Sequence, residues 1–181
     1  TVDVVVSNGY NCTDGIDSTR VEHSNLINTA PASALLRENW LASAGGLYRS
    51  ASIGLEYFDG TTKYLEWTVL AFRLCLTRKI WFINEPTYRI HDSPHSLSKS
   101  DEYRQSEVKV LRQILRMDMP TSLRHGLRCK LGRALHDLSE HMSMSGNVRG
   151  AWRNHLNSIF TPQGMSYLPY TRYLIWRHLI R

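Results

Sequence analysis

The chain has 181 residues, of which 42% are hydrophobic and 21% are charged. This composition is typical of a folded globular protein and excludes an intrinsically disordered one. The sequence has no apolar run of about 18 residues, so we expect no helix that spans a membrane. The net charge of +6 is unevenly divided. Residues 1–98 carry 8 Lys and Arg against 10 Asp and Glu, whereas residues 99–181 carry 14 against 6. The basic half favours a polyanion or an anionic membrane surface, if either is bound.

The cysteine content indicates a reducing compartment. Cys12, Cys75 and Cys129 are odd in number and widely spaced, and no CxxC pair occurs. A zinc knuckle and a disulfide scaffold are therefore not expected. We predict a cytoplasmic protein, with the inner face of the membrane as an alternative place of action. The chain opens directly on a strand-like segment without an initiator Met, so we expect it to be part of a longer protein.

The first 98 residues alternate strand and helix signals. Ser7-Asn8-Gly9 and Asn84-Glu85-Pro86 each predict a turn that ends a strand. Trp81 alternates with apolar neighbours and is expected in the core. The predicted elements are a strand over Val2–Val6, a helix from Pro31 that carries Trp40 and ends before Gly45-Gly46, a short strand over Leu47–Arg49, a helix capped by Thr61 or Thr62 that ends near Thr77, and a strand over Ile80–Ile83.

Residues 99–181 predict an all-helical, basic extension. Ser98 and Asp101 have capping-box spacing before its first helix. The expected helices contain Val108 to Leu115, Leu123 to Leu138, Asn147 to Phe160 and Ser166 to Ile180. The chain therefore divides into an α/β part, residues 1–98, and a helical extension, residues 99–181. No internal repeat or low-complexity tract is present.

Side chains that could bind a ligand or take part in a reaction are concentrated after the predicted strand Ile80–Ile83. They are Arg89, His91, Asp92, Ser93, His95, Ser96 and Ser98. Ligands of α/β proteins commonly lie beyond the carboxyl ends of strands. The sequence therefore predicts that the functional site includes this segment.

Several strings together resemble the second half of a family 2 glycosyltransferase. In chain order they are GLYRSASI, YFD, LEWTVLAFRL and KIWFINEPTYRIHDSPHSLSKS, and the opening VDVVVSNGY resembles an earlier strand of the same family. The resemblance covers roughly residues 1–98, and its motifs are specific in combination rather than singly. It implies a partial GT-A-like mixed sheet with flanking helices, followed by the helical extension.

The resemblance implies transfer of a sugar from a nucleotide-diphosphate sugar to an acceptor hydroxyl, in polysaccharide or cell-surface glycan synthesis. The acceptor would be a glycan or a lipid-linked molecule, and a divalent cation, Mg²⁺ or Mn²⁺, would be the cofactor. The chain departs from the family pattern in two ways. The Asp-x-Asp motif and the nucleotide-binding half do not occur, and Glu66-Trp67 stands where the family usually has Glu-Asp. We therefore expect these 181 residues alone to lack transferase activity.

Two carboxylates are candidates for the catalytic base. An inverting transfer needs a carboxylate that removes the proton of the acceptor hydroxyl. Glu66 stands at the family's acidic position near the start of a buried helix, where the helix dipole alone would also favour a carboxylate. Asp59 is the alternative, although an Asp before Gly commonly has a turn-forming role.

Substrate contacts are expected from Arg49, Trp67, Arg89 and Ser96, and a metal or diphosphate contact from His91. Arg89 and His91 lie on the same side of an extended segment, and Arg can pair bidentately with phosphate. The structural alternatives are an ion pair of Arg89 with Asp92, turn closure by Ser96, and solvation of a strand edge by Arg49. Trp67, like Trp40, is a candidate for stacking on a sugar ring.

The same sequence is also compatible with a function of a different class. The extension is a candidate helical binding or scaffold module whose basic surface meets a polyanion or a protein. We expect no nucleic acid as a partner, because no recognised motif occurs. The last helix, rich in Tyr, Trp and Arg, either makes peripheral membrane contact or packs its apolar face inside the protein. An open sheet edge would also allow pairing with a second copy of the chain.

Overall fold

The computed structural model describes residues 1–22, 24–41, 43–58, 60, 64–91 and 101–179. Four strands are present in these ranges: β1 Val4–Thr13, β2 Ile16–Thr19, β3 Gly46–Tyr48 and β4 Ile80–His91. The α-helices are α1 Ser24–Ile27, α2 Pro31–Ala34, α3 Glu66–Thr77, α4 Asp101–Ile114, α5 Thr121–Met144, α6 Val148–Ile159 and α7 Leu168–Leu179. Short 3₁₀ helices cover Ser43–Gly45, Leu55–Tyr57 and Gly164–Tyr167. The predicted mixture of strands and helices is confirmed at this coarse level.

The chain forms two compact units. The first consists of Thr1–Tyr103 and Met117–Met119, and the second of Arg104–Arg116 and Pro120–Arg181. The first unit contains every described strand, whereas the second is helical throughout its described part. None of the helices in the described ranges is long and apolar enough to cross a bilayer.

The sheet of the first unit is built around β1. Residues Val4–Val6 of β1 pair antiparallel with β3, and Tyr10–Thr13 pair antiparallel with β2. β4 runs parallel to β1 along nearly its whole length, from Val4 opposite Ile80 to Cys12 opposite His91. The strand β4 occupies one edge of β1. The strands β2 and β3 therefore follow one another along the other edge of β1. The sheet is therefore mixed.

The turn predicted at Ser7-Asn8-Gly9 is wrong, because β1 continues through it. The buried Asn8 side chain donates to the carbonyl of Val21 at 3.1 Å and to Asn84 Oδ1 at 2.8 Å. Its Oδ1 accepts from the backbone N–H of Gly9 at 2.8 Å and of Val21 at 3.2 Å. The amide thus uses both donors and both acceptor positions inside the sheet. The true turn lies at Asp14-Gly15, where φ is 53° and 81°, as a two-residue hairpin requires.

The predicted end of β4 at Asn84 is also wrong. The strand continues to His91, and register shifts on either side of Asn8 absorb the residues around Pro86 as a β-bulge. Gly9 is needed at this bulge because any Cβ there would collide with the Tyr88 ring. The prediction of Trp81 in the core is wrong as well: it is 52% exposed, whereas its neighbour Phe82 on the opposite face is 3% exposed.

The core of the first unit contains residues of the sheet and of α3. Val4, Val6 and Phe82 are buried, and α3 contributes five buried residues, Val69, Leu70, Ala71, Phe72 and Leu74. Trp40 is fully buried, meets Phe82 edge-on at a centroid distance of 6.1 Å, and donates from Nε1 to the carbonyl of Pro31 at 3.2 Å. Trp40 is therefore a core residue and not a platform for a sugar, and the helix from Pro31 ends at Ala34.

The second unit is centred on α5, which follows the predicted leucine spacing. Leu123, Leu127, Leu135 and Leu138 are all buried. Asn147 caps α6, since its Oδ1 accepts the backbone N–H of Gly150 at 3.0 Å. The predicted helices Asn147–Phe160 and Ser166–Ile180 are confirmed to within two residues at each end. The capping box at Ser98 lies outside the described residues.

Candidate active site

A cleft lies at the beginning of α3. It has a cavity volume of about 190 Å³, and its described lining residues are Phe58, Gly60, Glu66, Trp67 and Leu70. Pockets that enclose a drug-sized ligand have volumes of roughly 300–1,000 Å³. The cleft therefore has room for one small group of a ligand rather than for a whole one.

Glu66 is the only charged side chain among these lining residues. It is exposed and is the first residue of α3, where the positive end of the helix dipole stabilises a carboxylate. Within the described part of the chain it makes no ion pair and no side-chain hydrogen bond. Its carboxylate oxygens are therefore free to accept a proton or a hydrogen bond from a molecule in the cleft.

The backbone that enters α3 adopts an uncommon conformation. Tyr64 and Leu65 have φ values of 60° and 53°, in the left-handed region that side chains with a Cβ rarely adopt. Leu65 occupies the N-cap position and supplies no side-chain cap for the helix. Such conformations are found preferentially at functional sites, where the surrounding structure holds them in place.

Aromatic rings form the apolar part of the cleft. Trp67 is half-buried, and Phe58 is exposed and meets Tyr48 edge-on at a centroid distance of 6.4 Å. Burial raises the pKa of Tyr48 to about 12, so this phenol stays protonated at neutral pH. A carboxylate beside aromatic rings suits a ligand that has hydroxyl groups on an apolar ring face.

Arg73 is a supporting residue that the sequence-based prediction missed. It lies on α3, and its Nη1 donates to the carbonyl of Glu56 at 2.8 Å and to that of Tyr57 at 3.0 Å. These bonds hold the segment immediately before Phe58 against the helix. The signal in the sequence is an arginine within an otherwise apolar helical stretch, which indicates that a hydrogen-bond acceptor lies close to the helix.

Arg89 and His91 occupy the far part of β4. Arg89 lies opposite Tyr10 and His91 opposite Cys12, and both side chains are exposed. The Arg89 guanidinium pairs at 2.6 Å with the carboxylate of Asp17, which belongs to β2 of the β1–β2 hairpin. The alternative partner Asp92 lies outside the described residues, as do the two predicted site residues Asp59 and Ser96.

Arg49 lies at the other end of the sheet. Its Nε donates to the carbonyl of Val2 at 3.2 Å, and its backbone N–H donates to the carbonyl of Asp3 at 2.9 Å. Arg49 lies beside the beginning of β1, and His91 lies opposite Cys12 near its end. The eight residue steps along β1 from Val4 to Cys12 span about 26 Å. The described structure therefore brings Glu66 and Trp67 together, and Arg89 close to His91, but it separates Arg49 from His91.

The described residues provide no metal centre of their own. In residues 1–91 and 101–179, apart from the gaps named above, no three His, Cys, Asp or Glu side chains lie close enough to hold a metal ion. Comparisons with known proteins give no further guide. No family model, no curated protein and no solved structure matches this chain. The functional interpretation consequently depends on the geometry of the cleft and on the sequence motifs.

Proposed function

We propose that this chain forms the acceptor side of a glycosyltransferase that uses a nucleotide-diphosphate sugar, with Glu66 as the general base. The observation that carries the proposal is the exposed Glu66 carboxylate at the start of α3, which has no ion-pair or hydrogen-bond partner among the described residues and lies in a cleft whose other walls include Phe58 and Trp67. The strings GLYRSASI and LEWTVLAFRL support it by their resemblance to family 2 glycosyltransferases.

The proposed reaction is a direct displacement at the anomeric carbon of the donor. An acceptor hydroxyl oxygen attacks that carbon, and Glu66 takes the hydroxyl proton as the new C–O bond forms. The bond between the anomeric carbon and the diphosphate oxygen breaks, and the nucleoside diphosphate leaves with the electron pair. Trp67 and Phe58 would pack against the acceptor and orient its hydroxyl toward Glu66.

Arg89 is the proposed contact for the leaving diphosphate. More than half of its side chain is exposed, so guanidinium N–H groups stay available to phosphate beside the ion pair with Asp17. His91, two residues further on the same side of β4, is the second candidate for that contact. His91 is also the proposed ligand of a divalent cation, Mg²⁺ or Mn²⁺, which would neutralise charge on the diphosphate.

The test is the transfer rate of the full-length protein with Glu66→Gln. Glutamine keeps the size of the side chain but cannot take up the proton, so we expect the rate to fall by about 10²–10⁴-fold. Glu56→Gln is the matched control, since Glu56 is also exposed and lies near the same segment. The control should retain activity within about twofold.

Two results would contradict the proposal. Activity of Glu66→Gln within severalfold of the unmodified protein would move the base to Asp59 or to another residue. No transfer from any nucleotide-sugar donor by the unmodified full-length protein would favour the alternative of a helical binding or scaffold module.

A further inference from the structure

The end of the second unit has an extreme charge composition. After Glu140 the chain contains five arginines, no lysine and no Asp or Glu. These arginines are Arg149, Arg153, Arg172, Arg177 and Arg181. The excess of basic residues in the second half of the sequence is therefore carried in large part by a segment with no acidic residue to neutralise it.

Large apolar side chains are exposed on the same segment. Phe160 is 81% exposed and Met165 is 67% exposed. Leu156, Leu168, Ile175 and Trp176 are also exposed. Soluble proteins seldom leave several large apolar residues exposed within one short segment unless that surface binds something.

Helix geometry places these apolar residues beside the arginines. On α7, Leu168, Arg172 and Trp176 follow an i, i+4, i+8 spacing and are exposed, whereas Leu174 on the other side is fully buried. On α6, Arg149, Arg153 and Leu156 are exposed. The buried residues of α6 are Ala151, His155 and Ser158. Each helix therefore presents a mixed basic and apolar outer face.

We infer that these outer faces form a surface that binds an anionic membrane. We call it the basic apolar surface and define it by Arg149, Arg153, Leu156, Phe160, Met165, Leu168, Arg172, Ile175 and Trp176. Exposed Phe, Leu and Trp side chains insert at the level of the lipid headgroups, while arginines meet the lipid phosphates. This inference is independent of the proposed transferase activity.

Charge decides between a membrane and a second copy of the chain. In a twofold-symmetric dimer the same patch faces itself, so Arg149, Arg153 and Arg172 would meet arginines, and none of the residues that define the surface is acidic. Nucleic acid would satisfy the arginines but leaves exposed Phe160 and Met165 without a role. An anionic lipid surface provides phosphate for the first group and an apolar layer for the second.

The test is flotation of the protein with lipid vesicles. We expect vesicles of phosphatidylcholine and phosphatidylglycerol to bind the protein, and vesicles of phosphatidylcholine alone to bind it weakly. Arg149→Gln/Arg153→Gln should lower the partition coefficient by about tenfold or more, since each basic residue near an anionic surface contributes to binding. Phe160→Ser/Met165→Ser should lower it by about tenfold through lost apolar insertion. Circular dichroism checks that the helices are retained.

The control is Leu47→Ser/Leu55→Ser, which removes two exposed leucines, 75% and 89% exposed, from the first unit. It should bind vesicles like the unmodified protein. Equal binding to the two vesicle types, or an equal loss in the control, would overturn the inference. The protein could instead fail to bind vesicles and form a dimer in sedimentation experiments. If Phe160→Ser/Met165→Ser abolishes that dimer, the surface binds a second copy of the chain and the inference is overturned. The protein could also fail to bind vesicles and bind a nucleic-acid oligomer tightly. If Phe160→Ser/Met165→Ser leaves that binding unchanged, the surface binds a polyanion and the inference is overturned.

Discussion

The two units differ in the surroundings of two ionisable side chains, Glu66 and His155. Glu66 in the first unit lies exposed in a cleft and has no partner within the described residues, whereas His155 in the second unit is fully buried. An exposed and unpaired group is ready for chemistry with a ligand. A buried one is fixed by its neighbours and contributes to stability instead. This difference is the reason why the proposed catalysis is placed in the first unit and the proposed structural and surface roles in the second.

The neighbours of His155 form a compact aromatic cluster. Its Nε2 lies 2.8 Å from Thr171 Oγ1, and the ring meets Tyr170 edge-on at a centroid distance of 5.3 Å. His136 stacks on Tyr167 at 4.3 Å and also meets Tyr170 at 5.0 Å. A cavity of about 250 Å³ beside the cluster is lined by Glu140, Met144, Tyr170 and Tyr173. The rings thus join α5, α6 and α7.

The largest expected effect on stability comes from the core of the second unit. Leu135→Ala on α5 removes a side chain that is 2% exposed and leaves a cavity, so the free energy of unfolding should fall by about 2–5 kcal/mol. Leu156→Ala on the outer face of α6 should change it by no more than about 0.5 kcal/mol. Urea unfolding measures both. Equal losses would mean that Leu156 is also a core residue and would break the distinction between inner and outer faces.

An intermediate effect should come from pH. Burial, and then the nearby His136, lower the pKa of His155 below its ordinary value of 6.5. The unfolded chain therefore binds the proton more readily, so the stability contributed by neutral His155 is present above about pH 6.5 and is lost as the pH falls toward the lowered pKa. One linked proton limits the slope to about 1.4 kcal/mol per pH unit.

Two variants separate His155 from other histidines in this experiment. His155→Gln should flatten the dependence of the unfolding free energy on pH below 6.5, whereas His125→Gln, which changes an exposed residue of α5, should keep it. Unfolding curves recorded at several pH values between neutral and mildly acidic give the slopes. An unchanged slope in His155→Gln would show that another group carries the linkage.

The smallest effect should come from the exposed ion pair of the first unit. Asp17 and Arg89 are 2.6 Å apart but partly solvated, so a double-mutant cycle with Asp17→Asn and Arg89→Gln should give a coupling of about 0.2–1 kcal/mol. Rising salt should weaken it further. A coupling well above this range would make Arg89 a structural residue of the sheet rather than a free contact for a ligand.

Local patterns predicted the helices better than the sheet. The leucine spacing of α5 and the ends of α6 and α7 follow from periodicity within single segments. The continuation of β1 and β4 does not, because it depends on the Asn8–Asn84 hydrogen bond between residues 76 positions apart. Ser7-Asn8-Gly9 and Asn84-Glu85-Pro86 carry local turn signals that this distant pairing overrides.

In the candidate site, too, the sequence predicts contacts between neighbours in the chain but not contacts between distant residues. Glu66 and Trp67 are neighbours in the chain, so their shared cleft was within reach of a motif-based prediction. The contact of Arg89 with Asp17, 72 residues away, and the bonds from Arg73 to the backbone of Glu56 and Tyr57 could only be seen in three dimensions. The prediction for Trp81 is wrong because strand alternation alone does not reveal which face of a sheet is covered. The burial of Trp40, which lies outside the helices and strands, depends on its contact with Phe82, 42 residues further along the chain.

The most direct test compares the two units in a single assay, the transfer rate of the full-length protein with a soluble acceptor and no membrane. We expect Glu66→Gln to lower the rate by about 10²–10⁴-fold, and Phe160→Ser/Met165→Ser to stay within about twofold of the unmodified protein. The opposite pattern, with full activity in Glu66→Gln and lost activity in the variant of the second unit, would contradict the assignment of catalysis to the cleft at α3.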